Sequence, residues 1–221
     1  MRRVAIIAAH PDDEVLGCGG TIAKHCSRGD IVDVVFFTDG ESSRLAHTSK
    51  NIAERKRSAI HALKILGVNG KIEFLDYPDN ELDTISLLNL TQSLEEIILP
   101  LQPSVIYTHS TVDLNIDHQL VNRCVMTCCR PVRAKSPSKI YGFEVPSSTE
   151  WALNEKFAPT HYVDISLQLS VKLDALSAYE AELRESPHPR SIQYITALSR
   201  IRGGQSGCSY AEAFQTLRSI D

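Results

Sequence analysis

Over its first 130 residues the chain alternates short apolar runs with longer segments of helical period, and this restricts the fold more than any single motif does. The apolar runs lie at residues 3–9, 31–38 (IVDVVFFT), 72–77 (IEFLDY) and 104–109 (SVIYTH), and read as strands. Residues 14–28, 50–66, 84–99 and 117–129 read as helices between and after them. Gly29 and Gly67 supply stops for the first two, and Pro100 and Pro131 end the later two. Repetition of this kind builds an α/β fold with a doubly wound, mostly parallel sheet, right-handed crossovers and helices on both faces. Beyond about residue 135 the pattern changes. Short strands are expected at 139–144 and 161–165, and a helix over roughly 166–183. A stretch rich in Pro, Gly, Arg and Ser follows at 184–209, then a short final helix from near Tyr210. No linker interrupts the chain, so residues 1–221 read as a single domain with a C-terminal extension.

Composition narrows the function classes. A length of 221 residues with 43% hydrophobic residues allows a sizeable core. The net charge of −4 argues against a protein that tracks nucleic-acid phosphates. The N-terminal apolar run is only six residues long and leads into charge, too short for a signal core or a membrane span. The chain is therefore expected to be soluble and cytoplasmic, with no membrane span. Its six cysteines include no CxxC pair and read as reduced, mostly buried thiols.

In open parallel sheets, ligands collect outside the carboxyl ends of the strands. His10, Asp12 and Asp13 follow strand one, Asp39 follows strand two, and Asp76 and Asp79 follow strand three. His109, Asp113, Asp117 and His118 follow strand four. The adjacent acids Asp12, Asp13 and Glu14 repel one another unless a cation or a basic partner offsets the cost. A nucleotide loop is opposed by the failed GxGxxG spacing. Gly17, Gly19 and Gly20 fall inside the predicted helix, where they let it approach the sheet closely. A metal site accounts for the acids better. His10 offers an imidazole, Asp13 a carboxylate, and a third ligand could come from DLNIDH, where His118 sits on the correct edge. Two histidines and one aspartate leave a position open for water. Zinc suits that set, and other divalent first-row ions accept it as well. Asp12, beside a ligand, is free to take a proton from such a water.

These motifs together resemble the PIG-L/LmbE family of zinc-dependent N-acetylsugar deacetylases. AHPDDE (9–14), GGTIAKH (19–25), DLNIDH (113–118) and RGGQSGCSYAEAF (202–214) carry the resemblance, which covers nearly the whole chain. It implies a Rossmann-like fold, a Zn²⁺ cofactor and hydrolysis of an acetamido group on a glucosamine-type sugar. The substrate would be a small N-acetylsugar or its nucleotide or glycoside conjugate, and a homo-oligomer is also implied. Position by position, His10, Asp13 and His118 resemble the metal ligands and Asp12 the general base. Arg55 matches an arginine that grips sugar hydroxyls, Asp79 in YPDNEL a substrate-binding aspartate, and Asp117 a carboxylate that orients a histidine. One departure stands out. Many members carry a histidine three residues before the last ligand, and this chain has Asn115 there. An amide can hydrogen-bond an oxyanion but cannot donate a proton as imidazolium does. The acid role then falls to His109, at the end of strand four, or to protonated Asp12. Glu150 and Trp151 in EVPSSTEW are candidates to line the sugar pocket. His188 and Arg190 in SPHPRS either contact substrate or tie down the C-terminal loop. Two other readings stand beside this one: an amidase or esterase acting on a non-sugar acyl group, and a non-catalytic nucleotide-binding module.

Overall fold

The computed structural model describes residues 1–46, 48–132, 136–153 and 155–220. Strands β1 (Arg3–Ala8), β2 (Ile31–Thr38), β3 (Ile72–Tyr77), β4 (Val105–His109) and β5 (Lys139–Phe143) run parallel. Helices α1 (Asp13–Ser27), α2 (Ser49–Ile65), α3 (Leu87–Leu101) and α4 (Ile116–Cys128) connect them in turn. With β6 (His161–Asp164) and β7 (Ala211–Ser219) they form a seven-stranded sheet in the order β3-β2-β1-β4-β5-β7-β6. The strand order reverses between β1 and β4, which opens a crevice at their carboxyl ends.

Alternation along β1 shows how the two layers form. Val4, Ile6 and Ala8 face one core with α1 and α2 residues such as Val15, Ile22, Ala59 and Leu63. Ala5, Ile7 and Ala9 face a second core with Leu90, Leu94, Val121 and Val125 of α3 and α4. A strand buried on both faces must be apolar at every position, which explains the unbroken run before His10. Helix α1 lies close against the sheet, because a side chain at Gly17 would overlap the Phe143 ring. The helix breaks at Cys18 (φ −147°, ψ 23°), and the N–H groups freed there, of Gly20 and Thr21, donate to Glu212 at 2.9 and 2.7 Å.

The C-terminal half differs from the sequence reading in several ways. The final helix expected near Tyr210 is instead β7, which pairs antiparallel with both β5 and β6. AEAFQTL contains good helix formers, but pairing on both edges outweighs that local preference. The expected loop at 184–209 contains α6 (Ile192–Ser206), capped by the Ser191 hydroxyl on the Tyr194 N–H and stopped by Gly207 (φ 77°). The helix expected over 166–183 splits into α5 (Leu169–Ser177) and a 3₁₀ turn at Glu180–Glu182. The one expected at 84–99 begins with a 3₁₀ turn at Leu82–Thr84, restarts behind the Ser86 cap and carries Pro100 within its last turn.

Candidate active site

The turn from β1 into α1 carries the site. Asp12 sits at the helix start with φ 135° and ψ −27°, a conformation that costs an L-residue of order 1–3 kcal/mol. That backbone aims its carboxylate into the crevice beside Asp13, while Pro11 packs near Gly40 of the β2 turn.

Three donor atoms converge below Asp12. His10 Nδ1 lies 3.0 Å from Asp13 Oδ2, His118 Nε2 lies 3.2 Å from the same oxygen, and the two nitrogens are 3.1 Å apart. Ligands about 2.1 Å from a tetrahedral ion stand about 3.4 Å from one another, so this triangle is one face of such a coordination shell. Asp13 Oδ1 is buried and finds no partner among the described residues. The far nitrogens of both rings are engaged by carboxylates. His10 Nε2 is 3.0 Å from Asp79 Oδ1 and 3.2 Å from Asp117 Oδ2, and His118 Nδ1 is 3.0 Å from Asp113 Oδ1. These contacts place a proton on each far nitrogen and leave Nδ1 of His10 and Nε2 of His118 as lone-pair donors. Asp117 also accepts the N–H groups of Asn80 and Leu82 at 2.7 and 3.1 Å, locking the 78–82 loop onto His10. Thr149 donates to Asp113 at 2.7 Å, and Ser148 donates to it as well.

The electrostatics favour positive charge at this spot. Burial alone would lower the two imidazoles, but surrounding carboxylates outweigh it. His118 is pushed up to about 9 by Asp13 and Asp113, and His10 is raised well above its usual value by Asp13, Asp117 and Asp79. Burial likewise opposes ionisation of Asp13, yet the charges of His118 and His10 hold it well below the carboxylate range. A divalent cation would supply the same positive charge in place of protons. The donor set therefore fits the metal that the sequence implies.

Asp12 is held apart from this triangle. Its Oδ2 lies 3.1 Å from Arg55 Nη2 and 3.2 Å from Arg190 Nη1, while Oδ1 is buried without a partner among the described residues. Burial raises the Asp12 carboxyl above its ordinary value against the pull of these two arginines. Glu182, 4% exposed, fixes both: Arg190 Nη1 is 3.1 Å from it, and Arg55 also pairs with it. Arg44 joins the same carboxylate at 2.5 Å. Glu14 turns away from the cleft. It accepts the Asp12 N–H at 2.9 Å and the Tyr179 hydroxyl at 2.5 Å, and burial lifts it to about 8. The acidic triplet thus divides into a base candidate, a ligand candidate and a brace.

The remaining sequence candidates separate clearly. A cleft of about 180 Å³ brings together His10, Asp12, Arg55, Asp79, Asn115 and Arg190. Asn115 caps α4: its Oδ1 accepts the N–H groups of Asp117 and His118, and its Nδ2 donates to Asn80 at 2.9 Å. His109 lies behind His118, with ring centroids 3.9 Å apart, and its Nε2 accepts the Ala9 N–H at 2.8 Å. Burial, and next the His118 charge, hold it well below the usual histidine value. It does not line the cleft. Glu150 also stays off the cleft lining, since its carboxylate accepts the N–H groups of Ser147 and Ser148 at 2.8 and 3.1 Å. The sequence assigned no role to Asp113, Glu14, Glu182 or Arg44. Asp113 was recognisable at a strand end, whereas nothing in AELRES marks Glu182, which the α5 split carries inward.

The PIG-L family model, described as GlcNAc-PI de-N-acetylase, matches residues 5–129, which hold His10, Asp12, Asp13 and His118. The chain belongs to the PIG-L family. It is 30% identical over 184 residues to the "Uncharacterized deacetylase YaiS" of Escherichia coli (strain K12), covering 80% of this chain and 90% of that one. It is 28% identical over 236 residues to the diacetylchitobiose deacetylase of Thermococcus kodakarensis, covering 100% and 85%. Among solved structures, the N,N'-diacetylchitobiose deacetylase from Pyrococcus horikoshii superposes with a TM-score of 0.78 at 23% identity, over 98% of this chain and 84% of that one. GalB, the 4-carboxy-2-hydroxymuconate hydratase of Pseudomonas putida KT2440, superposes with a TM-score of 0.76 at 22% identity, over 100% and 98%. These two likenesses show a shared fold, and the fold alone does not choose between their reactions. No helix among the described residues is long and apolar enough to cross a membrane.

Proposed function

We propose that the protein removes the N-acetyl group from an N-acetylglucosamine-type sugar or sugar conjugate, releasing acetate and a free amine. The observation that carries this reading is the Asp12 carboxylate, braced through one oxygen and buried without a partner among the described residues at the other, beside the His10–Asp13–His118 triangle. A divalent first-row cation in that triangle, zinc by its donor set, would supply Lewis acidity toward the acetamide carbonyl and lower the pKa of water toward ~7.

The protein's own groups do the rest. Asp12 Oδ1 accepts a proton from water as the water oxygen adds to the carbonyl carbon. Arg55 and Arg190 keep the carboxylate from rotating away. Collapse of the tetrahedral species returns that proton from Asp12 to the departing nitrogen. His109 does not reach the cleft, so Asp12 serves as both base and acid. One Asn115 N–H is held by Asn80, and the other is available to the oxyanion. Asp79 and the outer edge of Arg55 face the cleft and hold the sugar hydroxyls, which fixes the acetamide against Asp12. Glu150 acts indirectly, by shaping the loop that presents Ser148 to Asp113. We also place the protein in the cytoplasm, where its six cysteines would stay reduced thiols. The homo-oligomer that the resemblance implies is read directly by light scattering.

Acetate release from a panel of N-acetylsugars and their nucleotide and glycoside conjugates tests the reading, using native protein, chelated protein and Asp12→Asn. Release that requires both metal and Asp12 supports it. Because the fold is shared with GalB and does not choose between reactions, a second reading is addition of water to an activated carbon–carbon double bond. That reading predicts no acetate from any sugar and loss of absorbance from a conjugated diacid.

A further inference from the structure

A second cleft lies under the far half of α1, at the edge of the sheet opposite the catalytic one. Val105 and Lys139 line it, and these residues open β4 and β5, so it sits at the amino ends of the strands. Its volume is about 280 Å³, larger than the 180 Å³ beside Asp12. One wall is a single stripe of α1 and its cap, with Thr21, Lys24, His25 and Arg28 recurring at helical spacing. The floor is aromatic. The Tyr141 and His161 rings stack 4.3 Å apart, reaching across β7, and Tyr107 packs beside Tyr141 at 5.4 Å. The Tyr107 hydroxyl lies 3.2 Å from His25 Nε2, and His25 Nδ1 lies 2.8 Å from Asp30, so wall and floor are tied together.

The rim is cationic. Arg2, Lys24, Arg28 and Lys139 line it against one carboxylate, Asp164. That carboxylate is turned to Ser166, accepting its N–H at 2.9 Å and its hydroxyl at 2.6 Å. Neither Arg2 nor Arg28 forms an ion pair among the described residues. The cations act on the rings below them. Burial first, then Arg28 and Arg2, lower His25 against the opposing pull of Asp30, and burial and Lys139 lower His161. A local surplus of positive charge in a chain of net charge −4 is not a product of composition.

We propose that this cleft binds a phosphomonoester, with the phosphate held by Arg2 and Arg28 and its ring laid on the His161 ring, which Tyr141 backs from beneath. Two guanidinium forks suit a dianion with three free oxygens better than a single carboxylate. A ring face supplies the rest of the contact, as aromatic floors do for sugars and bases. The site is separate from the deacetylase centre and does not depend on what that centre hydrolyses.

The test is isothermal titration calorimetry with three probes: inorganic phosphate, glucose 6-phosphate and AMP. Each is titrated into metal-loaded wild type, Arg28→Glu and Asp12→Asn. The expected result is that at least one ester binds about tenfold more tightly than inorganic phosphate. Arg28→Glu should weaken that ester by about tenfold or more, Asp12→Asn should not, and Arg28→Glu should release acetate at the wild-type rate. The tighter ester identifies the ring as sugar or base. Absence of saturable heat from all three probes would overturn the proposal. So would equal affinity for inorganic phosphate, or binding that Arg28→Glu leaves unchanged.

Discussion

The two ends of α1 carry opposite charge and are built in opposite ways. At its start Asp12, Asp13 and Glu14 are almost completely buried, on a strained backbone, and tied to residues as distant in sequence as His118, Tyr179 and Arg190. At its end Lys24 and His25 are half-buried, Arg28 is exposed, and the backbone finishes in an ordinary turn. Both signs suit the helix dipole, which contributes about 0.3–1 kcal/mol per charge near a surface. Burying an ionised carboxylate costs several kcal/mol even after relaxation. The dipole therefore explains the basic end and falls well short of explaining the acidic one. On the proposed function, the acidic end offsets that cost through what it would hold, a cation on one side and a reacting water on the other.

The change most able to break this contrast is Asp12→Asn set against Arg28→Glu. Asp12→Asn should keep the metal and lose about 10²–10⁴-fold in acetate release, as expected for removal of a general base. Arg28→Glu should leave turnover unchanged. Steady-state rates and metal analysis of the same samples check both. The next effect appears on removing metal. His10 and His118 have folded values above the unfolded 6.5, so their contribution to stability is fully present below pH 6.5 and is lost as pH rises through each folded value, about 9 for His118. For a shift like that of His118 the loss is on the order of 3 kcal/mol. Chelated protein should thus weaken in urea between those pH values, and metal-loaded protein should not. Asp113→Ala comes third. It frees the His118 ring and should lower metal affinity by about 10–100-fold, measured by competition with a chelating dye. Gly17→Ala sharpens the comparison from the middle of the helix. The added methyl meets the Phe143 ring and should cost about 1–3 kcal/mol in equilibrium unfolding, with the metal still bound.

Much of the acidic end was legible in the sequence because its chemistry is local. His10, Asp12 and Asp13 are adjacent in the chain, and His118 lies at the matching end of another strand. The parallel strands were legible for the same reason, since β1, β2, β4 and β5 are short apolar runs buried on both faces and β3, half-buried at the sheet edge, is a short apolar run as well. What escaped depends on distance. Glu182 gains its importance only when the turn after α5 brings it to Arg55 and Arg190. His109 reads as a catalytic histidine from its place at a strand end, yet the parallel pairing of β1 with β4 seals it behind His118 and against the Ala9 N–H. β7 escaped because a strand that fills a gap between two others is specified by its partners rather than by its own residues. Asp117 was legible as a carboxylate that orients a histidine, but its partner was not: it sits next to His118 in sequence and faces His10 across the cleft.

The most direct test of the account is to titrate zinc into chelator-stripped protein while following acetate release from the best substrate of the panel. The account predicts no release before metal is added and a rise that breaks at one equivalent. It also predicts that His10→Ala shows no such break. Full release from stripped protein, or an unchanged break in His10→Ala, would contradict the assignment of the His10–Asp13–His118 triangle as the metal centre of the reaction.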